Sequence, residues 1–162
     1  MAKGKIMTNP LRIAVGLLVV LAVRPALAQE VRILDTDPVL ARITWASMTA
    51  GTLSYTVENA STTKIKGFGA SLFVFSPDGA PKAGASWCGP VDLGPGQVLT
   101  TSKEVPFSAG PDDVVYLMVR SVAGGGKSWA IDAVDGPNAA KLEMMGRKSY
   151  LPLRAQAGTK CK

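Results

Sequence analysis

Histidine is absent from all 162 residues. Its absence removes the Ser-His-Asp and Cys-His catalytic arrangements, and with them the commonest general base and metal ligand. Cysteine is nearly as scarce, with only Cys88 and Cys161, and the two are too far apart in sequence for the C-x-x-C spacing of a dithiol redox site or a zinc ribbon. Long apolar runs are missing too. The longest, Ile13 to Val23, covers 11 residues, short of the roughly 20 that cross a bilayer as a helix. Carboxylates do not gather into a recognisable site: Asp35-Thr36-Asp37 and Asp112-Asp113 lack the D-x-[DN]-x-[DN]-G calcium loop. Glu58, Glu104 and Glu143 show no pairing of the glycosidase kind. No catalytic residue, metal ligand or cofactor site is therefore expected.

What the chain does carry begins at its N-terminus. Lys3, Lys5 and Arg12 precede the apolar run, Arg24-Pro25 closes it, and Ala26-Leu27-Ala28 supplies small residues at the A-x-A positions. A basic stretch, a short apolar stretch and a small-residue cleavage site make up a secretory signal peptide. Residues 1–28 are thus expected to be removed ahead of Gln29, leaving a periplasmic or secreted protein with no membrane span. Of the 162 residues 134 then remain, the size of one domain. Four basic residues and no acidic one leave with the signal, so the formal charge falls from +6 to +2. That balance is too mild and dispersed for a nucleic-acid partner. In an oxidising compartment the default state of Cys88 and Cys161 is a mutual disulfide. The bond would close a 73-residue separation, which chain entropy values at about 4 kcal/mol.

Period-2 alternation dominates from residue 41 onward, and no long segment carries a helical period. Ile43 and Trp45 alternate with Arg42 and Thr44, and Leu53, Tyr55 and Val57 alternate with Ser54, Thr56 and Glu58. Ala70 to Phe75 is apolar on both faces, as in a central strand covered on both sides. Asp78-Gly79, Gly94-Pro95-Gly96 and Gly124-Gly125-Gly126 mark turns between extended runs. Pro106 places the run from Gln97 to Phe107 at a sheet edge, because proline has no N–H for a second ladder. Seven or so short strands at near-regular spacing predict an all-β, two-sheet sandwich. Tyr55, Val57, Leu72, Val74, Val115, Leu117 and Val119 are its expected core. Asn138 is the expected cap of a short helix over residues 139–145 that Gly146 ends. The expected organisation is a signal peptide (1–28), an N-terminal extension (29–40), the sandwich (41–135) and a C-terminal helix and tail (136–162).

The run Leu53 to Ser61, Phe73-Val74-Phe75 with its Asp78-Gly79 turn, and Leu93-Gly94-Pro95-Gly96 together resemble the immunoglobulin-like, or fibronectin-like, modules of bacterial exported proteins over residues 41–132. Asp112-x-Val114-x-Tyr116 is similar to the approach to a tyrosine corner. Met118 stands where antibody-type domains carry cysteine, so the resemblance is to the looser class. It implies an immunoglobulin-like fold more than an activity.

Two motifs invite a chemical reading. Trp87-Cys88-Gly89-Pro90 resembles the start of a thioredoxin site, but Val91 replaces the second cysteine, and the exchange chemistry needs that resolving thiol. Asn59-Ala60-Ser61 matches a glycosylation sequon, though Asn and Ser at the end of a strand equally mark a turn. Of the three tryptophans, Trp45 and Trp129 lie in alternating runs and are expected in the core. Trp87, in a Gly/Ser/Pro-rich stretch, is the candidate contact residue. The sequence thus points to a non-enzymatic binding or structural module whose partner is another protein or a cell-envelope component. The alternatives are a thiol-redox accessory using Cys88 and a carbohydrate-binding module with aligned exposed aromatics.

Overall fold

The computed structural model describes residues 28–157, so the expected signal peptide up to Leu27, and Cys161, lie outside the described residues. In chain order the elements are β1 (Gln29–Leu34), β2 (Thr36–Asp37), β3 (Ala41–Thr49), β4 (Thr52–Asn59), β5 (Ile65–Phe75), β6 (Pro81–Leu93), β7 (Val98–Glu104), β8 (Val114–Gly124), β9 (Lys127–Ala130), α1 (Asp135–Met144), β10 (Leu151–Pro152) and β11 (Arg154–Gln156). The protein is mostly β, with one short helix, as the alternating pattern predicts. Nine strands form one nearly closed, barrel-like sheet, and β2 and β10 form a small parallel pair beside it.

β8 is the hub. Along its length it pairs antiparallel with β5. On its other side, Val115 to Met118 run parallel to Val31 to Leu34 of β1, and Ser121 to Gly124 pair with β9. β1 also turns its first two residues to β3, so the segment 29–34, expected as an extension, joins the sheet. From β3 the path continues through β4 to β7, and from β5 to β6.

β5 has neighbours on both sides, and its two faces are covered by different material. Leu72 and Val74 pair with Leu117 and Val115, and all seven expected core residues are buried. Phe73 on the opposite face lies under α1. A Cβ added to Gly136 would sit 2.6 Å from Met118 Cε and 3.0 Å from Phe73 Cε2, so at this separation a larger residue requires the Met118 side chain to shift.

Local expectations change at Trp45 and at the start of the helix, whereas the helix ends on Gly146 as expected. Trp45 is 48% exposed because a bulge between Ile43 and Trp45 shifts the ladder and turns Ala46 and Met48 inward instead. α1 starts three residues before Asn138, with Val134 at the cap and no side-chain capping bond; Pro137 fits because first-turn N–H groups have no intrahelical acceptor. The C-terminus ends on Gly146 at φ +74°. There the Gly146 N–H donates to Glu143 O and the Arg147 N–H to Leu142 O. Finally, the tail docks through its own apolar residues: Leu151 and Leu153 are buried, β10 lies beside β2, and β11 pairs with β9.

Candidate functional site

Three described strands of the rolled sheet, β6, β7 and the three-residue β11, pair on one side only, and β6 and β7 are the long edges. They differ in what they offer on the other. β6 opens on Pro81 and Lys82 and carries Pro90 near its far end. Proline has no ladder N–H, and a charged edge residue resists a second strand. Lys82 is held there by the Asp113 carboxylate at 2.7 Å.

β7 has no such protection over its first five residues, Val98-Leu99-Thr100-Thr101-Ser102, which are uncharged and, Leu99 apart, β-branched or small. Its start is fixed by a turn in which Gln97 Oε1 accepts the Gly94 N–H at 2.7 Å and Gly96 adopts φ +70°. Asn59 anchors that turn. The Gly96 N–H donates to Asn59 O at 2.9 Å, and the Asn59 N–H to Gln97 O at 3.0 Å. The β4 ladder then runs without a register shift from Glu58 opposite Val98 to Thr52 opposite Glu104. Because Gln97 O and the Val105 N–H both point at β4, the two-residue alternation of an antiparallel pair aims the backbone groups of Val98, Thr100 and Ser102 away from it. Val98 is 59% exposed and Leu99 37%.

The outer face beside this edge is hydroxyl-rich. Ser54 and Ser102 Oγ lie 2.9 Å apart, and Thr56 and Thr100 Oγ1 3.0 Å apart. Trp45 pairs with Thr56 in the same row, so one exposed indole continues the hydroxyl ladder. Trp87 is elsewhere: it lies within β6, half-buried, and donates its indole N–H to the Tyr55 hydroxyl at 3.1 Å. Trp129 is also half-buried. The carbohydrate reading thus finds one exposed tryptophan rather than an aligned set.

Cys88 lies mid-strand in β6, opposite Gly69, with its Sγ 3.6 Å from Ser121 Oγ. Thioredoxin-type sites place the reactive cysteine at a helix N-terminus, and Cys88 has no helix beside it in chain order. Tyr116 is buried and its hydroxyl accepts a long bond, 3.4 Å, from Arg32 on β1. Asn59 is the residue whose weight the sequence understates. It is buried, its Nδ2 donates to Leu93 O and Thr63 O, and its Oδ1 accepts from the Ser61 N–H and hydroxyl. A strand-end sequon was the signal, and the structural role is the one it fills. Ser61 and Lys64 also have the Ser-x-x-Lys spacing of a serine-lysine dyad. Ser61 Oγ is engaged with Asn59 and Thr63 O, and Lys64 Nζ with Asp92 at 2.6 Å. Among the described residues no group of three or more acidic or cysteine side chains could hold a metal. No family model and no curated protein matches the chain.

Proposed function

We propose that this protein is an exported, non-enzymatic binding module of immunoglobulin-like type that receives an extended segment of a partner protein on the free edge of β7. The observation that carries the reading is the contrast between the two long sheet edges. β6 is guarded by Pro81, Lys82 and Pro90, whereas β7 presents Val98, Thr100 and Ser102 with their backbone groups outward and no charge or proline among them. An uncovered strand of this kind invites pairing unless it has a use, and strand addition to a sheet edge is a recurrent way of binding extended peptides. The sandwich reading draws support from β1, which leaves β3 after Glu30 and joins β8 from Val31, passing between two groups of strands. Export rests on the N-terminal pattern of residues 1–28, and N-terminal sequencing of the mature protein should read Gln29 first.

Site-specific photocrosslinking in the native compartment tests the edge. A crosslinker at Val98 or Thr100 should give one discrete adduct with a partner protein, and crosslinkers at Pro81 or Arg147 should not. Thr100→Pro, which removes an outward N–H, should abolish the adduct while leaving the fold intact by circular dichroism. Equal adducts from both long edges, or none from β7, would overturn the proposal.

A further inference from the structure

At the end of the sheet where Ile65 pairs with Leu93 on one side and Gly124 on the other lies an open cavity of about 540 Å³, close to the β7 turn but lined by no residue of β7. Its described lining contains Lys64, Lys66, Gly124, Lys127, Ser128 and Gln156 and not one carboxylate. The arrangement follows from the ladders. Ile65 pairs with Gly124, which pairs in turn with Lys127; Gly67 pairs with Ala123, which pairs with Ser128, itself opposite Gln156. Two adjacent rows therefore cross β5, β8, β9 and β11 with a floor of Ala123 and Gly124 and lysines at the margins. The floor is kept low by necessity, since a Cβ on Gly124 would run into the carbonyl oxygen of Lys64.

Lys66 sits at a distortion of the sheet. Both ladders shift register between Ile65 and Gly67: against β8, where Gly124 and Ala123 are consecutive, Lys66 is the extra residue, whereas on the other side β6 carries the extra one, Val91 and Asp92 standing opposite Lys66. Lys64 and Lys66 are two residues apart, the spacing that places side chains on one face of a strand, and both border the cavity. Lys64 meets Asp92, an exposed residue outside the lining. Asp92 offsets the Lys64 charge, but no acid in the described lining offsets those of Lys66 and Lys127, and a multivalent anion relieves their repulsion.

We infer that this cavity binds a small anion of the phosphate type, carrying at least two negative charges, with Lys64, Lys66 and Lys127 as its point-charge donors. Lysine serves this purpose as a flexible ammonium without the fixed fork of arginine. The volume suits a molecule larger than a bare ion. This site is separate from the β7 edge and stands or falls independently of it.

The test is a titration of the ¹⁵N-labelled purified protein with inorganic phosphate and pyrophosphate, followed through the amide signals of Lys64 to Gly67 and Gly124 to Ser128. Pyrophosphate should move these signals saturably and more tightly than phosphate, with equimolar chloride giving no effect. Lys66→Gln and Lys127→Gln should each weaken the apparent affinity about tenfold, the loss of one charge-assisted contact. Lys148→Gln, on another surface, should leave it unchanged. Non-saturable shifts spread over all lysines would mean counterion condensation only and would overturn the inference. Unaltered affinity in a Lys66→Gln, Lys127→Gln double variant that keeps its native spectrum would do the same.

Discussion

Trp87 on β6 donates its indole N–H to the hydroxyl of Tyr55 on β4, and the two rings lie 5.9 Å apart across the interior. Burial pushes the Tyr55 pKa upward, against a smaller opposing effect of the Trp87 bond. The folded state thus holds the phenol proton more tightly than the unfolded chain. That stability is fully present below the ordinary tyrosine range and is lost as pH rises through the raised value. Alkaline spectrophotometric titration should show one tyrosine ionising late, and Tyr55→Phe should remove it. A double-mutant cycle with Trp87→Phe should give a coupling of about 1 kcal/mol.

Leu72 and Leu117 face each other across β5 and β8 and are wholly buried. Replacing either by Ala should cost about 2 to 5 kcal/mol, as lost burial plus a cavity. Trp45→Ala should change stability by less than about 0.5 kcal/mol, because nearly half of the side chain already meets water. Urea unfolding of the three variants separates these outcomes.

Asn59→Ala should be costlier than a surface substitution of the same size. It leaves Leu93 O without its side-chain donor in a buried setting and loosens the loop at Ser61 and Thr63, for a loss of about 2 to 4 kcal/mol. Hydrogen exchange should report the loss first at Gly96 and Gln97, whose bonds to the Asn59 backbone hold the entry to β7.

The Lys82 ammonium, followed by the Gly110 N–H, holds the Asp113 carboxyl below its usual range. Folding therefore favours the ionised form. The contribution is present above the unfolded carboxylate pKa and fades as pH falls through the lowered native value. Lys82→Met should move the Asp113 pKa upward in a carboxyl NMR titration, and the acid limb of the stability curve should shift to higher pH.

A Cys88–Cys161 bond is consistent with chain reach. From Gln156 on β11 to Cys161 is five residues, at most about 17 Å of chain, and a disulfide adds about 5.5 Å between Cα atoms. Four strand spacings separate β11 from β6, about 19 Å. A non-reduced digest should yield a linked peptide. Reduction should expose only residues beyond Gln156 to protease, since Leu151 to Gln156 are held by β2 and β9. Two alkylatable thiols in protein from its native compartment would count against the bond.

Strand identity was legible where alternation is clean or the run is uniformly apolar, as in β4, β5 and β8, because burial alone dictates those patterns. The exposure of Trp45 was not, since a single bulge reverses the alternation and no residue type announces it. Trp87 and Cys88 read as a loop through their glycines and proline, yet a 13-residue edge strand tolerates all of them. The β7 edge was half legible: Pro106 pointed to it, but the contrast with β6 appears only once both long edges are known. The lysine cavity was illegible, because Lys66 and Lys127 are brought together by register and by no spacing in the chain.

The parallel pairing of Val31 with Val115 joins residues 84 positions apart. The first strand to be made therefore waits for nearly the last. Until β8 exists, Val31 to Leu34 lack the strand they pair with, so a nascent chain carries an unfinished seam. Closure of that seam is a long-range event with a large loop entropy, and only with it do Val31 and Leu34 gain the neighbours that bury them.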